Sequence, residues 1–396
     1  MSKGGRYLKT AAKPAKKMST GMKIGLTIVS ILLIIMLALL CVGLWFLRGG
    51  GMEHFLDRVQ RADEVTVPTQ PVEIPPEFQV EEIPETTEEG DTEPTETEPT
   101  ETWPQVQSDA NLTTFMLVGQ NYRAGPDGEE SYLSDSMIMV TINRETKTMT
   151  MTSIMRDLYV ILPAYAGHTQ GQNRINVNYH LGTIWTGTRQ GGMEMLAKCV
   201  EQNFGIPIDH TVEVDFEAFE KIINMMGGVE IDITEAEAKY LSSDQVGYID
   251  HIEPGLQTLN GLEALAYARI RKIDGDEQRT GRQRNILMSL LKKCMTMSLF
   301  DLRDLAYEIL PMVTTDMETE EMKNYILEFL PMLTELKIVS QVLPIENAVL
   351  RAYNNCDSNW PKKGIIGGIE QYVIACNTQA NGQYLREQLG YDEPSK

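Results

Sequence analysis

Cysteine and histidine are scarce in this 396-residue chain, five of each, and neither is clustered. There is no CxxC and the histidines are scattered, which argues against the usual zinc ligand sets. Cys41 lies in an apolar run, and Cys199 and Cys294 fall in apolar helical patterns, where a small buried thiol is the ordinary role. Cys356 and Cys376 are the two that could pair outside a cell, though spacing alone does not set the Cα geometry of a disulfide. Base is short as well: 35 Lys and Arg stand against 56 Asp and Glu, for a formal net charge of -21. Phosphate backbones are held mainly by basic surfaces, so general nucleic-acid binding is disfavoured. No internal repeat is present.

Other absences are local. Residues 1–23 hold seven bases and no acid, and Ile24 to Leu47 form 24 residues with no charge at all. A helix of that length crosses a hydrocarbon core of roughly 30 Å. A cleaved signal peptide has an apolar core of only about 7–15 residues and a small-residue cleavage site. The pattern therefore predicts a basic cytoplasmic tail (1–23) and one transmembrane helix (24–47), with everything beyond Arg48 outside by the positive-inside rule. From Asp63 to Asp109 there are fifteen acids and no base, around the run "DTEPTETEPTETWP". Self-repelling, Pro-rich and poor in apolar mass, residues 48–110 are expected to be an extended acidic spacer that holds a domain off the membrane, after the short amphipathic piece "MEHFLDRVQRADE".

The folded part is expected from 111 to 396 as one domain, with a C-terminal elaboration from about 296. "FMLVGQ" (115–120) and "SMIMVTIN" (136–143) are apolar runs, and "KTMTMTSI" (147–154) alternates as a half-buried strand would. "GGMEMLAKCVEQNFG" reads as a helix ending at Gly205, "HTVEVDF" as a strand, "FEAFEKIINMMGG" as a helix with a glycine stop, and "GVEIDI" as a strand. Further helices ("NILMSLLKKCMTMSL", "TEEMKNYILEFLPMLTEL") and the strand "KIVSQVLP" follow. Strands alternating with helices indicate an α/β fold, an αβα sandwich around a central mixed β-sheet.

Against the acidic background, residues 267–285 gather five arginines and one lysine. Asn260 is a plausible N-cap for the helix "GLEALAYAR", and a second helix begins near Asp276. Along that helix Ile286, Leu287, Leu290 and Cys294 form one stripe, and helical spacing extends it back through Gln283, Arg279 and Asp276. Arg282 falls beside the stripe and Arg284 farther towards solvent. In an extended connection Arg269 and Arg271 project to one side. Guanidinium forks converging on a helix N-terminus suit a phosphate, and a solvated or Asp-paired arginine face would give the same pattern. Upstream, Arg156 and Asp157 follow a strand, Arg174 and Asn176 lie in "NRIN", and Asp135 stands at the entry to a strand, where a carboxylate can bind Mg²⁺ or cap a turn.

In this order "FMLVGQN", "LSDSMIMVTIN", "SIMRDLYV", "RINVNY", "FGIPIDHTVEVDFEAFEKIINMMGGVEIDI", "LNGLEALAYARIR" and "DEQRTGRQRN" resemble the LytR-CpsA-Psr family of cell-envelope enzymes, across roughly Phe115 to Lys293. The resemblance implies a phosphotransferase that moves a glycopolymer, such as teichoic acid or capsular polysaccharide, from a polyprenyl pyrophosphate carrier to peptidoglycan. It implies Mg²⁺ as cofactor, with Asp135 and the position of Asn121 at the metal. Arg156, Arg269, Arg271, Arg279 and Gln283 would hold the pyrophosphate; Arg156, Asp276 and Arg279 would be the catalytic group. The prenyl tail would lie between sheet and helices, against segments such as "KIINMM". Two positions depart from the family pattern: Asn121 stands where an aspartate is usual, and Leu133 where an arginine precedes Ser-Asp. A noncatalytic module that binds prenyl phosphates or glycans is the alternative these departures suggest.

Overall fold

Alternation along the longest strands builds two cores, one on each face of a central sheet. In the computed structural model, described residues are 56–67, 81–82, 109–124, 130–274, scattered positions from 278 to 297, 299–329, 332, 335–354, 359–366 and 369–392. The apolar run 24–47 lies outside them, as do Asp276, Arg284, Cys294, Cys356 and the side chain of Asn121. Among the described residues no helix is long and apolar enough to cross a membrane.

The chain order is β1 (Gln60–Arg61), β2 (Glu81–Glu82), β3 (Leu112–Ala124), β4 (Glu130–Asn143), β5 (Thr148–Ile154), β6 (Leu158–Leu162) and β7 (Gly171–Arg174). Then come α1 (Val177–Thr186), α2 (Arg189–Phe204), β8 (His210–Asp215), α3 (Phe216–Met225), β9 (Val229–Ile233), α4 (Glu235–Leu241), β10 (Gly255–Leu259) and α5 (Gly261–Ala268). The helix α6 is described at ten positions between Gln278 and Lys293. It is followed by α7 (Leu299–Ile309), β11 (Val313–Thr315), α8 (Thr319–Phe329), β12 (Lys337–Leu343), α9 (Asn347–Asn354), β13 (Asn359–Ile366), β14 (Ile369–Cys376) and α10 (Thr378–Leu389).

The central sheet has seven strands in the order β1-β11-β8-β3-β4-β5-β12. It is mixed: β8 runs parallel to β3, and β12 parallel to β5, while β4 is antiparallel to both its neighbours. Leu117, Ile138, Val140 and Val212 belong to one core, with Ile222 and Ile223 of α3 and Ile286 and Leu290 of α6. Met116, Val118, Met137 and Met139 belong to the other, with the apolar residues of α1, α2 and α10. Adjacent residues of one strand point to opposite faces, so an α/β architecture with helices on both sides follows from β3 and β4 alone. A five-stranded sheet, β13-β14-β6-β7-β2, flanks the second core.

Helix ends obey local chemistry. Gly205 adopts a left-handed conformation (φ 65°) after α2, and Asn260 caps α5 in a reciprocal capping box with Glu263. For α3, Met226 takes the C-cap and the left-handed Gly227 and Gly228 follow.

Three expectations change. The alternation at 147–154 suggested one solvent-facing side, but every residue of β5 after Thr148 is buried, because both faces of the sheet are covered. The stretch beyond 296 is not an appendage: β11 and β12 occupy interior and edge positions of the central sheet. The expected spacer, 48–110, starts too early. Leu56, Val59 and Ala62 are buried, β1 pairs in parallel with β11, and β2 pairs with β7. The amphipathic "MEHFLDRVQRADE" carried that signal in its apolar positions, whose partners 250 residues away were invisible locally. Val59→Ala should therefore lower unfolding free energy by about 1–2 kcal/mol in a urea titration, as loss of two buried carbons predicts, whereas an inert spacer would show no change.

Candidate active site

The ladder between β3 and β4 breaks at one place. Gly119 pairs with Ser136 but Gln120 pairs with Ser134, so the register skips Asp135. A bulge of this kind bends the strand and re-aims the extra side chain. Gly119 permits the close approach, since a Cβ there would meet Ser136 Cβ at 3.0 Å. An isolated glycine within a strand was the sequence signal for it.

The bulge joins the two arginine-bearing regions. Asp135 accepts a 2.6 Å hydrogen bond from Arg156 Nη1, in the turn after β5. Ser136 Oγ donates to Gln283 Oε1 of α6 at 3.4 Å. Arg279, one turn earlier on α6, is 6% exposed. Arg156 Nε also lies 3.5 Å from Asp157, which Arg174 Nη1 approaches at 3.6 Å. The backbone of Asn176 closes the group: its carbonyl accepts from Ser134 Oγ (3.2 Å) and its N–H donates to the Arg156 carbonyl (3.4 Å). These bonds lock β4, the turn after β5 and the start of α1 together, at the end of the sheet where β3 and β8 finish.

The other cations divide. Arg271 is half-buried just after α5. Arg269 is exposed, its guanidinium 5.3 Å from the Phe216 ring, a cation–π placement at the C-terminal end of α5. The connection is a turn rather than an extended segment, because Arg269 caps α5 in the right-handed helical region. Arg282 is 4% exposed and serves the fold: it donates to Glu237 Oε1 (2.6 Å), to the Ile270 carbonyl (3.0 Å) and to Asp274. A position beside the stripe thus proves to be inward too, since α4 and the 270–274 turn cover that flank.

A buried polar network beneath the bulge went unread in the sequence. Arg189, at the first position of α2, donates to Gln120 and Glu213, and the Tyr179 hydroxyl donates to Glu213. Burial pushes the Glu213 carboxyl up, opposed by Arg189 and Tyr179, and burial likewise raises Tyr179. The glutamate within the apolar alternation of "HTVEVD" was the available sign. Beside it, His180 is 1% exposed and its Nδ1 accepts from the Tyr132 N–H at 3.2 Å. Burial lowers its pKa to about 4.

An unfolded histidine titrates near 6.5, so below that pH the unfolded chain gains a proton that the folded chain refuses. Stability should be fully present above about pH 6.5 and fall by roughly 3 kcal/mol as pH drops to about 4. Denaturation midpoints across this window check the expectation; in His180→Gln the decline attributable to this group should vanish.

The carboxylates described at the bulge, Asp135 and Asp157, both contact arginine. Among the described residues no group of three or more His, Cys, Asp or Glu could hold a metal ion. Mg²⁺ is commonly held by one or two carboxylates with substrate phosphate and water completing its shell, and Asp135 fits that role. Asn121 and Leu133 are cross-strand partners immediately past the bulge, so the two departures from the family pattern occupy facing positions.

The polyisoprenyl-teichoic acid–peptidoglycan teichoic acid transferase TagT of Bacillus subtilis (strain 168) is 35% identical over 166 residues, covering 42% of this chain and 47% of TagT. The corresponding transferase TagV of the same strain is 39% identical over 168 residues, covering 42% of this chain and 40% of TagV. Biofilm regulatory protein A of Streptococcus mutans serotype c is 32% identical over 176 residues, 41% of this chain and 39% of that protein. The chain thus spans less than half the length of these three curated relatives. A structure of TagT bound to LI-WTA superposes with a TM-score of 0.51 at 26% identity, over 72% of this chain and 94% of that one. The LytR_cpsA_psr family matches residues 79–362, which includes the bulge, Arg156 and the arginines of α6, and the chain belongs to that family.

Proposed function

We propose that the protein is a membrane-anchored phosphotransferase that moves a glycopolymer from a polyprenyl pyrophosphate carrier to peptidoglycan outside the cell. The observation that carries this reading is the β3–β4 bulge, where Asp135 holds Arg156 and Ser136 holds Gln283, with buried Arg279 one helical turn away. The names of TagT and TagV, and the TagT structure bound to LI-WTA, support the substrate class. Localisation with the N-terminus cytoplasmic and the domain extracellular is supported by the basic tail before Ile24–Leu47.

The chemistry asks little covalent participation of the protein. An acceptor hydroxyl oxygen bonds to the glycan-side phosphorus, the bridging P–O bond breaks, polyprenyl phosphate leaves, and the hydroxyl gives up its proton. Arg156, Arg271 and Arg279 offset the phosphate charge, and Gln283 orients an oxygen. Arg269, stacked on Phe216, contributes at the rim. Asp276 is assigned to orienting these arginines or accepting the acceptor's proton. Mg²⁺, held by Asp135, would supply further charge neutralisation on the phosphates; Asn121 would offer it an amide oxygen in place of a carboxylate. Water in place of the acceptor would give pyrophosphate hydrolysis as a side reaction.

The test is turnover: detergent-solubilised protein with a polyprenyl pyrophosphate saccharide, Mg²⁺ and peptidoglycan fragments should release polyprenyl phosphate and form a glycan–peptidoglycan phosphodiester. The facing pair Asn121 and Leu133 supports a second reading, a binding module for prenyl phosphates or glycans. Retention of the lipid without release of polyprenyl phosphate would select it and overturn the first.

A further inference from the structure

We infer that the site-bearing end of the domain rests directly on the lipid surface, through the loops 243–250 and 269–274. This inference rests on the proposed membrane anchoring of Ile24–Leu47, and the strand order supplies the direction. Strand β1 is parallel to β11, which is antiparallel to β8, and β8 is parallel to β3. It therefore enters the sheet from the end at which β3 and β8 finish, the end that carries the bulge. Only nine peptide steps separate Leu47 from the buried Leu56, a reach of about 30 Å even when fully extended. An anchor on so short a lead cannot hold the domain far from the bilayer, and it draws this end of the sheet towards it.

The same end presents suitable chemistry. Loops 243–250 and 269–274 are joined by a 3.2 Å hydrogen bond from Lys272 Nζ to Gln245 Oε1. They expose Tyr248 (53%) and Ile273 (37%) beside the exposed cations Arg269 and Lys272. An exposed aromatic, an aliphatic and two cations with long apolar stems suit the interfacial zone of a bilayer, where apolar side chains and the stems are buried and charged heads stay in water. The same loops also expose Asp244, Asp250 and Asp274, so their charge is balanced, whereas the long acidic run lies at the other end. Glu82 pairs with Gly171, which pairs with Leu162 at the far end of β6 from Arg156, and Asp109 precedes the far end of β3. The stretch between Glu82 and Asp109 has eight acids and no base. It leaves and rejoins the domain on the side away from the site, where an anionic surface would not repel it. The acidic segment is then a loop with both ends on the domain, not a spacer between domain and membrane.

The experiment is amide hydrogen exchange on the full chain in nanodiscs containing phosphatidylglycerol, compared with the same chain in neutral detergent micelles. Peptides covering 243–250 and 269–274 should exchange roughly fivefold more slowly in the nanodiscs, as Tyr248 and Ile273 settle into the bilayer interface. The 144–147 turn at the opposite end should be unchanged. In the double variant Tyr248→Asp/Ile273→Asp the protection should vanish, with unaltered exchange in residues 137–142 showing that the sheet is intact. Equal rates in nanodiscs and micelles, or protection at 144–147 instead, would overturn the inference. Neither result depends on turnover, so failure here and failure of the transferase assay are separate. A chain that does not co-elute with nanodiscs would remove the anchor and the inference together.

Discussion

Arg279→Ala should lower release of polyprenyl phosphate by ~10²–10³-fold, the loss typical of one donor aimed at developing charge in a water-poor site. Arg279 is 6% exposed on α6, a turn from the glutamine that Ser136 holds. Bidentate guanidinium donors on a phosphate contribute through geometry as well as charge, so Arg279→Lys should recover only part of the rate. Arg156→Ala should fall in the same range, and Asp135→Asn should raise the Mg²⁺ concentration needed for half-maximal rate, because Asp135 holds Arg156 at 2.6 Å and is the carboxylate assigned to the metal. Initial rates with the lipid-linked saccharide, measured alongside the unfolding midpoint of each variant, separate chemistry from folding. Wild-type rates in Arg279→Ala with an unchanged midpoint would sink the transferase reading of these arginines.

Arg282→Ala, three residues away, should do the opposite: destabilise the fold by about 3–5 kcal/mol, the usual consequence of removing one partner from a buried pair. Its guanidinium joins Glu237 of α4, the Ile270 carbonyl and Asp274. Without it, Glu237, 6% exposed, keeps only the Thr234 N–H and hydroxyl on Oε2 and is left as a buried carboxylate with no cation on Oε1. The double variant Arg282→Met/Glu237→Leu should recover part of the loss, since replacing a buried pair by apolar groups is often neutral, less about 1 kcal/mol for the Thr234 capping box that Glu237 completes. Urea midpoints of the two single variants and the double variant decide it; an Arg282→Ala protein as stable as wild type would mean the contacts are dispensable.

The contrast between neighbouring arginines marks the limit of helical periodicity. Spacing placed Arg279 and Gln283 inward correctly, because the apolar stripe of Ile286 and Leu290 defines one face of α6. It could not assign Arg282, whose burial depends on α4 and the 270–274 turn approaching the flank of the helix. The departures at Asn121 and Leu133 were visible as residue types, but that they face each other required the register of β3 against β4.

The sequence by itself determined the strands β3, β4 and β8, the helix ends at Gly205 and Asn260, the α/β class and the family, since each rests on local periodicity, capping chemistry or contiguous motifs. Only the tertiary structure decided that residues 56–67 complete the central sheet, that β11 and β12 belong to it, and that a skipped residue at Asp135 brings Arg156 and Gln283 to adjacent positions. Those features depend on pairing between segments as much as 250 residues apart, where the stabilising contact lies in the partner and leaves no periodic trace in the chain.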